Sequence, residues 1–211
     1  MPIRPEGLKL IIATFILGLT IFVLTKNIIL TFPFLVLLLL VLNFFRDPER
    51  YPDSTDPNDI ISPADGKVII VDQAKQDDLG IDKIFKRVAI FMSPLDVHVN
   101  RAPCSGKVVE LIQKSGGFER AFLEKSEKNA RLIWHIVNQK EEDFLIVQIA
   151  GAIARRIKSF KEKGDEIKRG ERIGMIYLGS RVDLYIPQNY EITVKVGDKV
   201  YAGKTIVASK K

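Results

Sequence analysis

The sequence has 211 residues, 46% hydrophobic and 27% charged, with 32 Lys+Arg against 26 Asp+Glu. That length buries a core in one ordinary domain with a segment to spare, and the composition excludes collagen, low-complexity disorder and a disulfide scaffold. A mixed net charge of +6 does not argue for a nucleic-acid partner.

Residues 1–45 hold 30 hydrophobic side chains and four charged ones, Arg4, Glu6, Lys9 and Lys26. Leu10–Thr25 and Ile28–Phe45 are apolar runs separated by Lys26-Asn27, each shorter than the roughly 20 residues that span a bilayer core. A hairpin crossing twice, a re-entrant hairpin and a broken interfacial helix are the three readings, with the hydrophobic helical hairpin preferred. A cleavable signal peptide fits poorly, because a second apolar run follows and no small-x-small site precedes a polar start. Arg4 and Lys9 before the hairpin, and Arg46 and Arg50 after it, place both ends on the cytoplasmic side of a cell membrane. Residues 46–60, punctuated by Pro48, Pro52 and Pro57, read as a linker to a domain over 61–211. The single cysteine, Cys104, cannot form an internal disulfide, which agrees with a reducing compartment.

Short β-rich runs follow, at Lys67–Asp72, Arg87–Met92, Gly106–Ile112, Leu132–Asn138 and Phe144–Ala150. Arg120–Lys128 reads as a helix-like insertion and Gly151–Lys161 as a place for a short helical turn. The expected class is mostly β. Two echoes refine it: Gly164–Ile173 matches Gly197–Ile206, and Ser62–Val68 matches Ala102–Val108. Each Gly-Asp begins a tight turn in which Gly supplies positive φ and Asp caps an amide. The combined pattern resembles the lipoyl/biotinyl carrier domain, so the expected fold is a duplicated hammerhead β-barrel or sandwich. A carrier needs a lysine at the exposed hairpin between its halves. The corresponding stretch, Tyr177–Pro187, holds Gly179-Ser180 instead.

A serine held in a tight turn can attack the preceding carbonyl and form an ester by N→O acyl shift. β-Elimination then leaves dehydroalanine, which hydrolyses to a pyruvoyl group and ammonia. Gly179, lacking a Cβ, leaves its carbonyl approachable. A Gly-Ser dipeptide alone is equally a surface turn.

Leu178-Gly179-Ser180 does not stand alone. With Phe44–Pro48, Ser62-Pro63-Ala64-Asp65-Gly66, Ser93-Pro94-Leu95-Asp96-Val97-His98-Val99-Asn100-Arg101 and Gln148–Ile157, it resembles the phosphatidylserine decarboxylase family. The match is closest to the short form, which includes archaetidylserine decarboxylases, and runs from about Asn43 to the C-terminus. The resemblance implies a proenzyme that cuts itself between Gly179 and Ser180 into a β chain, 1–179, and an α chain, 180–211, which stay together as a heterodimer. Ser180 becomes a covalent pyruvoyl cofactor that forms a Schiff base with the serine headgroup of a phospholipid and serves as electron sink for decarboxylation. The product is phosphatidylethanolamine or, on ether-linked isoprenoid tails, archaetidylethanolamine. No metal is expected, since two histidines and one cysteine lack zinc-ligand spacing.

His98 occupies the place of a family histidine near the pyruvoyl group, and Asp65 that of an aspartate able to orient it. Longer members carry a second histidine where this chain has Arg101, which leaves His98 to serve maturation, decarboxylation or both. His135 reads as a strand residue. Arg155, Arg156 and Arg181 are candidates to hold the substrate's phosphate or carboxylate, and Asp183 reads as a turn or ion-pair residue. Residues 180–211 carry six basic and three acidic side chains, a local excess beside the proposed site. Two rivals remain: a membrane-anchored lipoyl-like adaptor without enzymatic activity, and a pyruvoyl enzyme acting on a soluble amino acid.

Overall fold

The computed structural model describes residues 2–117, 129–151, 156–177 and 180–210. The chain divides into two compact units, Met1–Glu49 and Arg50–Lys211, with the boundary inside the expected linker.

The first unit is a pair of apolar helices, α1 (Leu8–Thr25) and α2 (Ile28–Phe44). Lys26 turns the chain in the left-handed region at φ 49°, and the Asn27 side chain caps α2 by accepting from the Ile29 and Leu30 amides. Gly18 lets the helices approach, since a Cβ there would lie 3.2 Å from the Phe34 Cβ. Leu24, Ile29 and Phe32 are among the many large apolar side chains left exposed on this pair. The helical stretch Pro5–Thr25 is long and apolar enough to cross a membrane; α2, with 17 residues, is shorter.

The second unit is β-rich, and its strands run in chain order as β1 (Ile60–Ile61), β2 (Gly66–Ala74), β3 (Phe85–Met92), β4 (Val99–Arg101), β5 (Gly106–Lys114), β6 (Arg131–Val137), β7 (Asp143–Ile149), β8 (Ile157–Ser159), β9 (Glu166–Ile167), β10 (Arg172–Ile176), β11 (Ser180–Ile186), β12 (Tyr190–Ile192), β13 (Lys199–Val200) and β14 (Ile206–Lys210). The five expected β-rich runs fall in β2, β3, β5, β6 and β7. Eight strands form one curled sheet in the order β13-β2-β3-β11-β7-β6-β5-β9, and two smaller sheets have the orders β1-β14-β12 and β4-β10-β8. Side chains from all three sheets share one apolar core that includes Ile60, Val68, Met92, Trp134, Ile173, Val182 and Val207. Phe85, Ile133, Leu145, Val147, Ile149 and Tyr185 form a second cluster.

The sequence echoes mark equivalent places in the sheets. Gly197 N–H donates to the Val68 carbonyl and Val68 N–H to that of Asp198; Gly164, Val108 and Asp165 repeat the pattern. β13 pairs with β2 at Lys199↔Lys67, as β9 pairs with β5 at Glu166↔Lys107. Both β2 and β5 carry a bulge, after Val68 and Val108. The copies also exchange bonds, Ile61 N–H to the Pro103 carbonyl and Arg101 N–H to that of Pro63.

Two expectations need amending. Ile157–Ser159 is a strand rather than part of a helical turn, because it pairs with β10, while residues 152–155 of that expected turn lie outside the described residues. Residues 180–186, matched by sequence to an exposed carrier hairpin, form a buried central strand between β3 and β7. The Arg120–Lys128 insertion lies outside the described residues.

The paired glycines of the Gly-Lys-Val echo have a shared steric cause. A Cβ at Gly66 would fall 2.0 Å from the Phe91 carbonyl oxygen, and one at Gly106 would fall 2.5 Å from that of Val137. Replacing Gly106 with Ala is therefore expected to destabilise the protein by about 1–3 kcal/mol through forced backbone movement. The thermal unfolding midpoint of the detergent-solubilised chain checks this, and an unchanged midpoint would show that β6 yields freely.

Candidate active site

The site arises where one half of the β unit is inserted into the other. β3 and β11 are hydrogen-bonded neighbours, and the last residue of β3, Met92, is the register partner of the first residue of β11, Ser180. Between them the chain leaves through residues 93–98, builds β4 to β10, and returns through 177–179. At the far side of both connections the strands pair again, Met175 with Val99, and the Ile176 amide donates to the His98 carbonyl at 3.3 Å. The outgoing and returning connections therefore bridge the same two pairs of strand ends. One carries His98, and the other reaches Ser180.

Ser180 is fully buried, and its Oγ has no hydrogen-bond partner among the described residues. Alternation along β11 puts its side chain on the main-core face with Val182, Leu184 and Ile186. A buried hydroxyl without a partner carries a desolvation cost of about 1–3 kcal/mol, which reaction chemistry at this atom would explain. Its partner in the preceding peptide, Gly179, lies outside the described residues.

His98 is likewise fully buried, and its Nδ1 lies 2.9 Å from the Asp96 carbonyl oxygen. A carbonyl only accepts, so Nδ1 carries a proton toward it. Asp96 is in turn fixed by its own side chain. Its carboxylate accepts from the Ser93 amide at 2.8 Å, from Ser93 Oγ at 2.7 Å and from Lys199 Nζ at 3.1 Å. Burial pushes the Asp96 carboxyl up, but the Ser93 and Lys199 bonds outweigh it and hold the group below its ordinary value. Sequence reading gave Asp96 no role; the signal was its place three residues after Ser93, where a short acidic side chain closes a turn on the serine amide.

The other expected residues are more dispersed. Asp65 accepts from both terminal nitrogens of Arg50 and from the Ala202 amide, so it ties the linker to the β13–β14 turn. Arg101 donates to the Gly170 carbonyl at 2.9 Å. Arg156 is exposed, and its carbonyl accepts from the Tyr177 amide, which places it beside the returning connection; Arg155 lies outside the described residues. His135 sits in β6 and bonds Asp143 at 2.7 Å, and Cys104 is buried with its thiol pushed up to about 12 by burial and the Glu142 charge. Among the described residues no group of three or more His, Cys, Asp or Glu side chains is placed to hold a metal.

Arg181 is fully buried, and Nε and one terminal nitrogen grip Asp183 at 2.6 and 2.7 Å. Arg87 approaches the same carboxylate at 3.8 Å and binds Asp72 on its other side. This pair lies on the face of β11 opposite Ser180.

Comparison with known proteins agrees with the motifs. The family model described as phosphatidylserine decarboxylase matches residues 37–208. A phosphatidylserine decarboxylase proenzyme of Pelagibacter ubique is 45% identical over 99% of this chain and 96% of its own length. One from Desulfotalea psychrophila is 45% identical over 85% of the chain and 83% of its own. A Methanosarcina barkeri protein, named as a candidate archaetidylserine decarboxylase proenzyme, is 48% identical over 79% of the chain and 75% of its own.

The Arg181–Asp183 geometry makes a prediction that separates support of β11 from substrate binding. Arg181→Met removes the two-point guanidinium grip on the buried Asp183 carboxylate, and should cost about 3 kcal/mol. Adding Asp183→Leu should recover much of that loss, as measured by unfolding of both variants. A single variant as stable as wild type would free Arg181 for substrate.

Proposed function

Because the chain belongs to the phosphatidylserine decarboxylase family, we propose that it matures by cutting itself before Ser180 and then decarboxylates the serine headgroup of a phospholipid. The observation that carries this reading is the buried Ser180 Oγ, without a partner among the described residues, at the start of a central strand on the seam whose other connection bears His98. The decarboxylase class follows from the family; the pyruvoyl route and the residue roles are the proposal.

In maturation the lone pair of His98 Nε2 takes the Ser180 hydroxyl proton as Oγ attacks the Gly179 carbonyl carbon. The peptide C–N bond breaks, and the freed amine is protonated. Removal of the Ser180 Cα proton then expels the Gly179 carboxylate, and one water converts the resulting enamine to a pyruvoyl group and ammonia. An orphaned serine in a dry site fits that group, which supplies a carbonyl to take up the substrate amine and the electron pair released with carbon dioxide. His98 is then placed to hold or deliver a proton. Arg101, a guanidinium that stays charged, cannot replace it as base.

Asp65 acts as a positioning residue that keeps Arg50 against the turn at Ala202. Arg156, with Arg155 preceding it, is assigned to the substrate's phosphate, and Arg181 to its ion pair with Asp183. The repeat is read as a duplicated hammerhead, lipoyl-like barrel, and the linker and domain bounds as 46–60 and 61–211. The apolar hairpin would hold this unit at the cytoplasmic face of the cell membrane, where the substrate lies. After cleavage the α and β chains would remain a heterodimer, because β11 is laddered between β3 and β7 and β14 pairs with β1.

Ester-linked phosphatidylserine is the favoured substrate, since the relative aligned along 99% of the chain bears that name. Archaetidylserine, with ether-linked tails, is the second reading, motivated by the methanogen relative.

Intact mass spectrometry is expected to find two fragments divided at 179/180, with a blocked α chain, and lipid analysis to find the ethanolamine product from serine-headgroup vesicles. Ser180→Ala should remain a single inactive chain, and His98→Ala should slow cutting, decarboxylation or both. A single uncut, active wild-type chain would overturn the reading, and an uncut, inactive one would favour the adaptor. Turnover of free amino acids but not vesicles would favour the soluble-substrate rival. Vesicles of each tail type distinguish the two lipids.

A further inference from the structure

A buried relay of side chains ends on Met92, the register partner of Ser180. Trp134 Nε1 donates to Gln148 Oε1 at 2.7 Å, Gln148 Nε2 donates to Asn100 Oδ1 at 2.7 Å, and Asn100 Nδ2 faces the Met92 sulfur at 3.7 Å. Trp134, Gln148 and Asn100 are all fully buried. The direction of the relay is fixed from its first member. An indole N–H only donates, so the Gln148 oxygen must face it; the Gln148 nitrogen must then face the Asn100 oxygen, and the Asn100 nitrogen is left pointing at Met92. Neither amide can flip without breaking a bond behind it.

Met92 is the register partner of Ser180, and the two side chains stand on the same face of the sheet. That neighbourhood holds two mismatched groups. Asn100 Nδ2, a strong donor, has only a thioether as acceptor among the described residues, and thioether sulfur accepts weakly. Ser180 Oγ has no partner there at all. A donor held in place by a relay thus faces the methionine whose register partner carries an oxygen left unsatisfied among the described residues.

On the proposed self-cleavage, we infer that Asn100 is a further catalytic residue, donating from Nδ2 to the oxygen at position 180 as that oxygen becomes the leaving group. In this step a base removes the Cα proton of residue 180, its electron pair forms the Cα=Cβ bond, and the Cβ–Oγ bond breaks. Oγ departs as part of the Gly179 carboxylate, so negative charge develops on the oxygen that Asn100 addresses. Gln148 and Trp134 are positioning residues that act through Asn100. Gly174 packs closely here, since a Cβ there would lie 2.7 Å from the Lys158 carbonyl oxygen and 3.2 Å from Gln148 Nε2.

The test follows cutting of freshly synthesised full-length chain in detergent, with Ser180→Ala alongside. Asn100→Ala is expected to slow fragment formation by about 10²- to 10³-fold, the usual cost of losing one donor to a developing oxyanion. Its uncut chain should hold the ester and split at 179/180 on adding hydroxylamine, whereas Ser180→Ala should not split. Trp134→Phe, which keeps the core filled and frees the relay to turn, should slow cutting less and show the same hydroxylamine sensitivity. Should Asn100→Ala fail to fold, that second variant carries the test. Cutting at the wild-type rate in folded variants, or slow cutting with no hydroxylamine-sensitive ester, overturns the inference. An uncut wild-type chain would instead overturn the reading on which it rests.

Discussion

The ladder between β3 and β11 is the constraint on which the site depends. Its register joins Met92 to Ser180 and continues pair by pair to Ile186 and Lys86, so the two strand ends cannot drift apart without breaking a central part of the sheet. Everything inserted between them must leave and return at one point. Backbone pairing thus brings a histidine-bearing outgoing connection and a serine at the end of the returning one to the same seam. Preorganisation of this kind is what a self-modifying serine requires, because a misplacement of about 1 Å can cost two orders of magnitude in rate.

Holding that register has an electrostatic side. β11 is buried on both faces: one face carries Ser180, Val182 and Leu184 toward the core, and the other carries Arg181 and Asp183. Two full charges in such a place are costly unless they bond each other well, and the two-point geometry, extended through Arg87 to Asp72, supplies that pairing. An apolar pair could stabilise the strand at least as well. What the charges add is position, because a fork-to-fork pair between residues two apart on one strand face fits a narrow range of backbone geometry.

Much of the architecture was legible in the sequence because repetition is. Gly-Asp at 164 and 197 and Gly-Lys-Val at 66 and 106 recur for steric reasons that the turns and close carbonyl approaches make plain. Ser180 and His98 drew attention through their motifs, and both prove to be fully buried. The fate of Arg181 was not legible, because a guanidinium near a reactive serine reads the same in sequence whether it faces substrate or Asp183. The ties of Asp65 to Arg50 and Ala202 were not legible either, since these partners lie 15 and 137 residues from it along the chain and only folding brings them together. The strand at 157–159 escaped notice because three residues show no period, and its pairing with β10 decides its state. The Trp134–Gln148–Asn100 relay was invisible, since its members come from three strands and no spacing connects them.

The same topology explains how a protein could cut its own backbone without losing its fold. The proposed scission falls in a connection, and the short chain it creates begins with a strand hydrogen-bonded along both edges. Beyond β11, the α segment is tied back through Lys199 to Asp96, through Ala202 to Asp65, and through β14 to β1. The first two of these ties involve residues of the recurring motifs. Asp96 holds His98 by its carbonyl and Lys199 by its carboxylate, so one residue joins the histidine-bearing connection to the segment that starts at Ser180. Cleavage would therefore free a chain end at the seam while leaving the histidine-bearing connection tied to the α segment. A hairpin carrying the same Gly-Ser, exposed and held at its base alone, would lack that tie, and this is the physical difference between a surface turn and a maturation site.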